Sequence, residues 1–86
     1  MMKSKDTRTL RSEAQSLKPT VQIGKDGLTE KVAEELRRQV KAKGLIKVRL
    51  NPSYQVDAKK AAVELSEASS SDVVDVRGRT VVLSRR

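Results

Sequence analysis

Apolar positions along the chain switch between a helical spacing and a strict alternation, and the switches set the order of its elements. Leu10, Ala14 and Leu17 fall at i, i+4 and i+7, which predicts a helix over residues 6–17 with Arg8, Arg11 and Lys18 off the apolar stripe. Residues 1–5 carry no pattern and read as a disordered basic end. Lys18-Pro19 stops the helix, because the residue before a proline is driven out of the α region. Val21 and Ile23 then alternate with Thr20 and Gln22 in a strand over 20–23. Past Gly24-Lys25-Asp26-Gly27, Thr29 is placed to cap a second helix whose stripe is Val32, Ala33, Leu36 and Val40, and Lys41, Lys43 and Gly44 mark its end. Leu45 to Leu50 is the clearest strand, with Ile46, Val48 and Leu50 on one face and Lys47 and Arg49 on the other, which predicts a wet, positive outer face. Asn51-Pro52 breaks it. A third helix is expected over 53–68, with Ala58, Ala61, Ala62 and Leu65 inward, and residues 69–71 read as a loop. Val73, Val74 and Val76 form a third strand, Arg77-Gly78-Arg79 a hairpin turn, and residues 80–84 a fourth strand.

The predicted order is α-β-α-β-α-β-β. Strands joined through helices favour parallel crossovers, whereas the last two are close enough only for a hairpin, so the fold class is α+β: a two-layer module on a four-stranded mixed sheet. The length of 86 residues fits one domain, taken here as residues 6–86. A chain this short buries only about 60% of its unfolded surface, and without Phe, Trp or more than one Tyr its core rests on Val, Leu, Ile and Ala.

Charge narrows the function. Nineteen Lys and Arg against eleven Asp and Glu give a net +8, the footprint of a polyanionic partner. No Cys and no His are present, which removes disulfides, thiolate chemistry, imidazole metal sites and the usual neutral-pH base. No apolar run is long enough for a membrane span or a signal peptide, and the expectation is a soluble cytoplasmic protein without cofactor, metal or small-molecule substrate. No acid, base and nucleophile fall into a catalytic spacing, so an enzyme is not expected. Asp72 and Asp75 are read as surface residues, pointing to opposite faces of a regular strand.

The candidate chemistry lies in Gly24-Lys25-Asp26-Gly27. A glycine-bounded loop between strand and helix puts helix-terminal N–H groups and the positive dipole end near the Lys25 charge, an arrangement that favours phosphate, while Asp26 partly cancels that charge. The spacing is neither GxxxxGK[ST] nor GxGxxG; in form it matches the GXXG loop that clamps a nucleic-acid backbone in KH modules. Arg8, Arg11 and Lys18 are either a solvated face or a phosphate-contacting strip beside this loop. Because the loop reads as exposed, a Gly27→Asp chain is expected to fold and to lose binding.

Leu17-Lys18-Pro19, Ile23-Gly24-Lys25-Asp26-Gly27-Leu28-Thr29, Leu45-Ile46-Lys47-Val48, and then Val76, Gly78, Thr80 and Val81-Val82-Leu83 together resemble the CRM domain, the family of the free-standing YhbY-like proteins, over roughly residues 10–85. The resemblance implies a compact α/β module, RNA binding through Gly24, Lys25, Asp26 and Gly27 with adjoining basic surface, and association with ribosomal RNA in pre-ribosomal particles of the large subunit. The chain departs from the family at Ser84, where an aromatic residue is usual, and at 69–71, which lack a common glycine. The alternative to an RNA-binding assembly factor is a sequence-tolerant DNA-compacting protein. A purely protein-binding adaptor is a third reading, one that predicts no salt-sensitive nucleic-acid binding.

Overall fold

A computed structural model describes residues 18–86. The helix expected over 6–17, and with it Arg8, Arg11 and the basic end at 1–5, lies outside the described residues. The described elements are β1 (Val21–Ile23), α1 (Glu30–Lys43), β2 (Leu45–Leu50), α2 (Ala58–Ser69), β3 (Ser71–Arg77) and β4 (Thr80–Arg85). They form a four-stranded mixed sheet in the order β1-β2-β4-β3. β1 and β2 run parallel through the α1 crossover, and β4 is antiparallel to both β2 and β3. β2 and β3 are therefore parallel to each other with β4 inserted between them, so the α2 crossover spans two strand positions.

Helix α1 starts and stops where its sequence dictates. The Thr29 side chain accepts from the Val32 amide at 3.2 Å, and Gly44, at φ 82°, turns the chain out while its amide donates to Val40 at 2.8 Å. Ala33, Leu36 and Val40 are buried, whereas Val32 is half-buried at the margin. On α2 the small residues Ala61 and Ala62 let the helix approach the sheet, with Leu65 filling the space beyond. These side chains meet Ile23, Ile46, Val48, Leu50, Val81 and Leu83 in one core. Each fully buried Leu or Ile there contributes about 1.5–3 kcal/mol relative to exposure.

Three expectations need correction. α2 begins at Ala58 rather than 53, because Asn51 and Asp57 offer the backbone other bonds. Asn51 Oδ1 accepts from the Ser53 amide at 2.9 Å in an Asx turn, and Asp57 caps the helix by accepting from the Lys60 amide at 3.3 Å. Residues 69–71 are not a loop. Ser69 ends α2, Ser70 turns at φ 53° and Ser71 opens β3, so one left-handed residue makes the corner. Ser69 Oγ donates to the Leu65 carbonyl at 2.7 Å, which leaves Ser71 Oγ to donate to Ser69 Oγ at 2.6 Å. Both hydroxyls are thereby satisfied inside the fold.

The third correction concerns β3, whose pairing with β4 shifts register between Val73 and Asp75. The bulge explains why two valines stand side by side in sequence. Val74 is sent to the outer sheet face, where it is buried with Val82 and partly buried Leu45. It also brings Asp72, opposite Ser84, and Asp75, opposite Val82, onto the same face, contrary to simple alternation. Each carboxylate has an arginine partner, Arg86 at 3.1 Å for Asp72 and Arg77 at 3.3 Å for Asp75. The outer face is thus only partly wet: Arg49 is exposed, Lys47 is half-buried opposite Val82, and an apolar patch lies beside them.

Candidate nucleic-acid interface

The Gly24-Lys25-Asp26-Gly27 loop leaves the C-terminal end of β1 and closes as a tight turn, in which the Gly27 amide donates to the Gly24 carbonyl at 2.9 Å. Its start is fixed to the end of β2, because the Asn51 amide donates to the Ile23 carbonyl at 2.9 Å. Lys25 and Asp26 are the exposed central residues. A lysine at such a tip carries its charge into solvent on an anchored turn, the arrangement needed for a phosphate contact.

The two glycines have separate roles. Gly27 sits at φ 71° and is buried, and a Cβ there would meet Tyr54 Cε1 at 2.9 Å. Gly24 has nothing within 4 Å of where its Cβ would stand. The bare surface that a nucleic-acid backbone can approach is therefore at Gly24, while Gly27 serves the packing of Tyr54 beneath the loop. A side chain at Gly27 disturbs the fold itself, which corrects the expectation that Gly27→Asp is silent for folding.

Tyr54 supports the loop from below. Its ring is buried to 8% exposure, so it is a floor and not a stacking platform for bases. Burial raises the phenol above its ordinary value, as does the nearby Glu64 carboxylate; Arg79 opposes them. The helix terminus next to the loop is partly spoken for. Two residues, Leu28 and Thr29, separate Gly27 from α1, and Thr29 already satisfies the Val32 amide. Lys25, rather than the helix end, supplies the main positive charge at the tip.

Several arginines that add to the net charge are structural. Arg79 reaches from the hairpin turn to the Val56 carbonyl at 2.7 Å and the Asn51 carbonyl at 3.5 Å, and it also donates to the Tyr54 carbonyl. Those are carbonyls of the segment before α2, which sequence reasoning missed because an Arg-Gly-Arg turn looks merely basic. Arg37 donates to the Ala68 carbonyl at 2.9 Å and Arg85 to the Lys41 carbonyl at 2.8 Å, each satisfying a helix C-terminal acceptor. Arg38 pairs with Glu35. Lys25 is the exposed cation of the turn and Lys31 that of the first turn of α1, whereas exposed Lys18 precedes β1, at the end of the strand opposite the turn, and exposed Arg49 is paired with Gln22. Of the residues proposed from sequence, Gly24, Lys25, Asp26 and Gly27 share one turn, Lys18 lies two residues before the Thr20 amide that donates to the Lys47 carbonyl at 3.0 Å, and Arg8 and Arg11 lie outside the described residues. Among the described residues no cluster of acidic side chains could hold a metal ion, and no helix is long and apolar enough to cross a membrane.

Residues 2–85 match the CRS1/YhbY (CRM) domain model. The probable RNA-binding protein MJ0652 of Methanocaldococcus jannaschii is 40% identical over 80 residues, covering 91% of this chain but 59% of its own length, so the chain spans somewhat over half of that relative. The probable RNA-binding protein YqeI of Bacillus subtilis is 34% identical over 83 residues, covering 96% of this chain and 86% of YqeI. The solution structure of the hypothetical protein SAV1595 from Staphylococcus aureus superposes with a TM-score of 0.81 at 36% identity, over all of this chain and 90% of that one. With the whole chain matched and the α+β module shared, the protein belongs to the CRS1/YhbY (CRM) domain family.

Proposed function

We propose that this protein binds RNA without catalysing a reaction, and that it contacts the phosphate backbone through the turn Gly24, Lys25, Asp26 and Gly27, with Lys25 as its charge and Gly24 as its point of close approach, together with the basic strip of Arg8, Arg11 and Lys18. The observation that carries this reading is Lys25, exposed at the tip of a turn anchored on both sides, with open space over Gly24 where a backbone can come close. Relatives named as RNA-binding proteins support it, as does the net charge of +8. Within that reading the partner is ribosomal RNA in precursors of the large subunit, met in the cytoplasm. Crosslinking in cells followed by sequencing of the bound RNA tests the partner: enrichment of large-subunit ribosomal RNA and its precursors is expected, and a spectrum of unrelated messages contradicts it.

The alternative, a DNA-compacting protein, has no observation of its own in its favour. Equal lengths of RNA and duplex DNA in competition separate the two, with RNA expected to win. The outer sheet face at Lys47 and Arg49 is a weaker candidate surface, because sheet-reading RNA modules use stacking aromatics and the only aromatic residue of this chain, Tyr54, is buried in the core.

A further inference from the structure

Beside the loop, on the side of α2, lies a groove of about 500 Å³ lined by Asp26, Gly27, Leu28, Tyr54, Val56, Glu64 and Glu67. Its size is in the range of roughly 300–1,000 Å³ that holds small ligands. Leu28, Val56 and the edge of Tyr54 make an apolar wall, and the charges along it are all negative. A phosphate entering here would meet three carboxylates within one groove. An RNA chain seated on Lys25 must therefore carry its backbone away from this side and can turn only an uncharged part towards it.

We propose that this groove is a base subsite, and that it takes guanine with the Glu67 carboxylate as acceptor. The inference rests on the loop reading above. A nucleobase offers the groove a flat apolar face without charge, and single-stranded RNA presents unstacked bases whose Watson–Crick edges are free to be read. Guanine is the standard base with two adjacent N–H donors on that edge, N1–H and the N2 amino group, and one carboxylate accepts both at once. Glu64 stands close to the Tyr54 hydroxyl, as part of the wall. Asp26 belongs to the phosphate-contacting turn itself, and Glu67, exposed in the last turns of α2, is the remaining carboxylate of the groove. Because Asp26 and Gly27 belong both to the groove and to the turn, a base in the groove and a phosphate on Lys25 are within reach of one nucleotide chain.

The test compares the full chain with its Glu67→Gln variant, each titrated with a uridine-rich RNA hexamer containing one guanosine and with the same hexamer carrying inosine, which lacks the N2 amino group. The wild-type protein is expected to bind the guanosine hexamer about five-fold more tightly, and Glu67→Gln is expected to bring the ratio close to one, since a carboxamide has one acceptor oxygen and turns an NH2 donor towards the second N–H. Circular dichroism checks that the variant folds, as an exposed helical position allows. A wild-type ratio near one overturns the subsite, as does an unchanged ratio in Glu67→Gln. A wild-type ratio near one together with tighter binding of both RNAs by the variant identifies the carboxylates as a phosphate-repelling wall only. Failure of the loop reading looks different: both hexamers then bind Lys25→Ala as they bind the wild type.

Discussion

Gly24 and Gly27 stand three residues apart in one turn, and the same substitution has opposite consequences at the two. Alanine at Gly27 must adopt φ 71° and push its methyl group towards Tyr54 Cε1, so it is expected to cost about 1–3 kcal/mol in thermal or urea unfolding. Gly24→Ala meets open space and is expected to stay within about 0.5 kcal/mol of wild type. Gly24→Asp is therefore the clean substitution for placing a negative charge at the phosphate contact. Tyr54 adds a pH dependence. Its phenol is raised above its value of 10.0 by burial and by Glu64, so between the unfolded and folded values the native state holds a proton that the unfolded chain has lost. Stability is then fully present below about pH 10 and falls as pH rises above it. Tyr54→Phe is expected to remove that part of the alkaline decline in denaturation midpoints. None of this tyrosine's role was legible from sequence, where a single aromatic in a basic chain looks like a stacking residue; only the turn geometry of Gly27 puts the ring underneath the loop.

At the scale of elements, legibility followed the strength of local signals. Thr29 and Gly44 bracket α1 as their side-chain chemistry dictates, and Thr29→Ala is expected to cost about 1 kcal/mol by freeing the Val32 amide, measurable by chemical denaturation. The start of α2 was misplaced because Ser53 looks as good a cap as Asp57, and only the Asn51 Asx turn decides between them. The segment between Asn51 and Asp57 is held by a residue from a distant hairpin. Removing the guanidinium in Arg79→Ala leaves its half-buried carbonyl partners at Tyr54 and Val56 without their donor, and a loss of about 2–3 kcal/mol is expected in the same assay. A contact between positions 25 residues apart leaves no periodic trace, so no reading of local pattern finds it. The bulge in β3 is similar: Val73-Val74 breaks the alternation visibly, but which strand absorbs the extra residue depends on pairing with β4. The corner at Ser69–Ser71 resembled a loop because serine is common in loops, whereas its hydroxyls are buried and pair with each other.

For the whole molecule the net charge of +8 overstates what is available to a polyanion, since arginines at 37, 79 and 85 are engaged with carbonyls of the fold. Exposed lysines remain on the loop side, and carboxylates hold the groove next to α2, which gives the surface around the turn a direction. Binding governed by phosphates must weaken with salt in proportion to the contacts made. For about four to six contacts to single-stranded RNA, the slope of log affinity on log salt is about −3 to −4. The most direct measurement is that slope in the wild type and in Lys25→Ala, taken with the same single-stranded RNA. The loop account predicts a steep wild-type slope, an affinity lower by ~1 kcal/mol in the variant, and a slope shallower by about one contact's share, close to 0.7. Equal slopes and equal affinities in the two proteins would contradict it and place the RNA elsewhere on the domain.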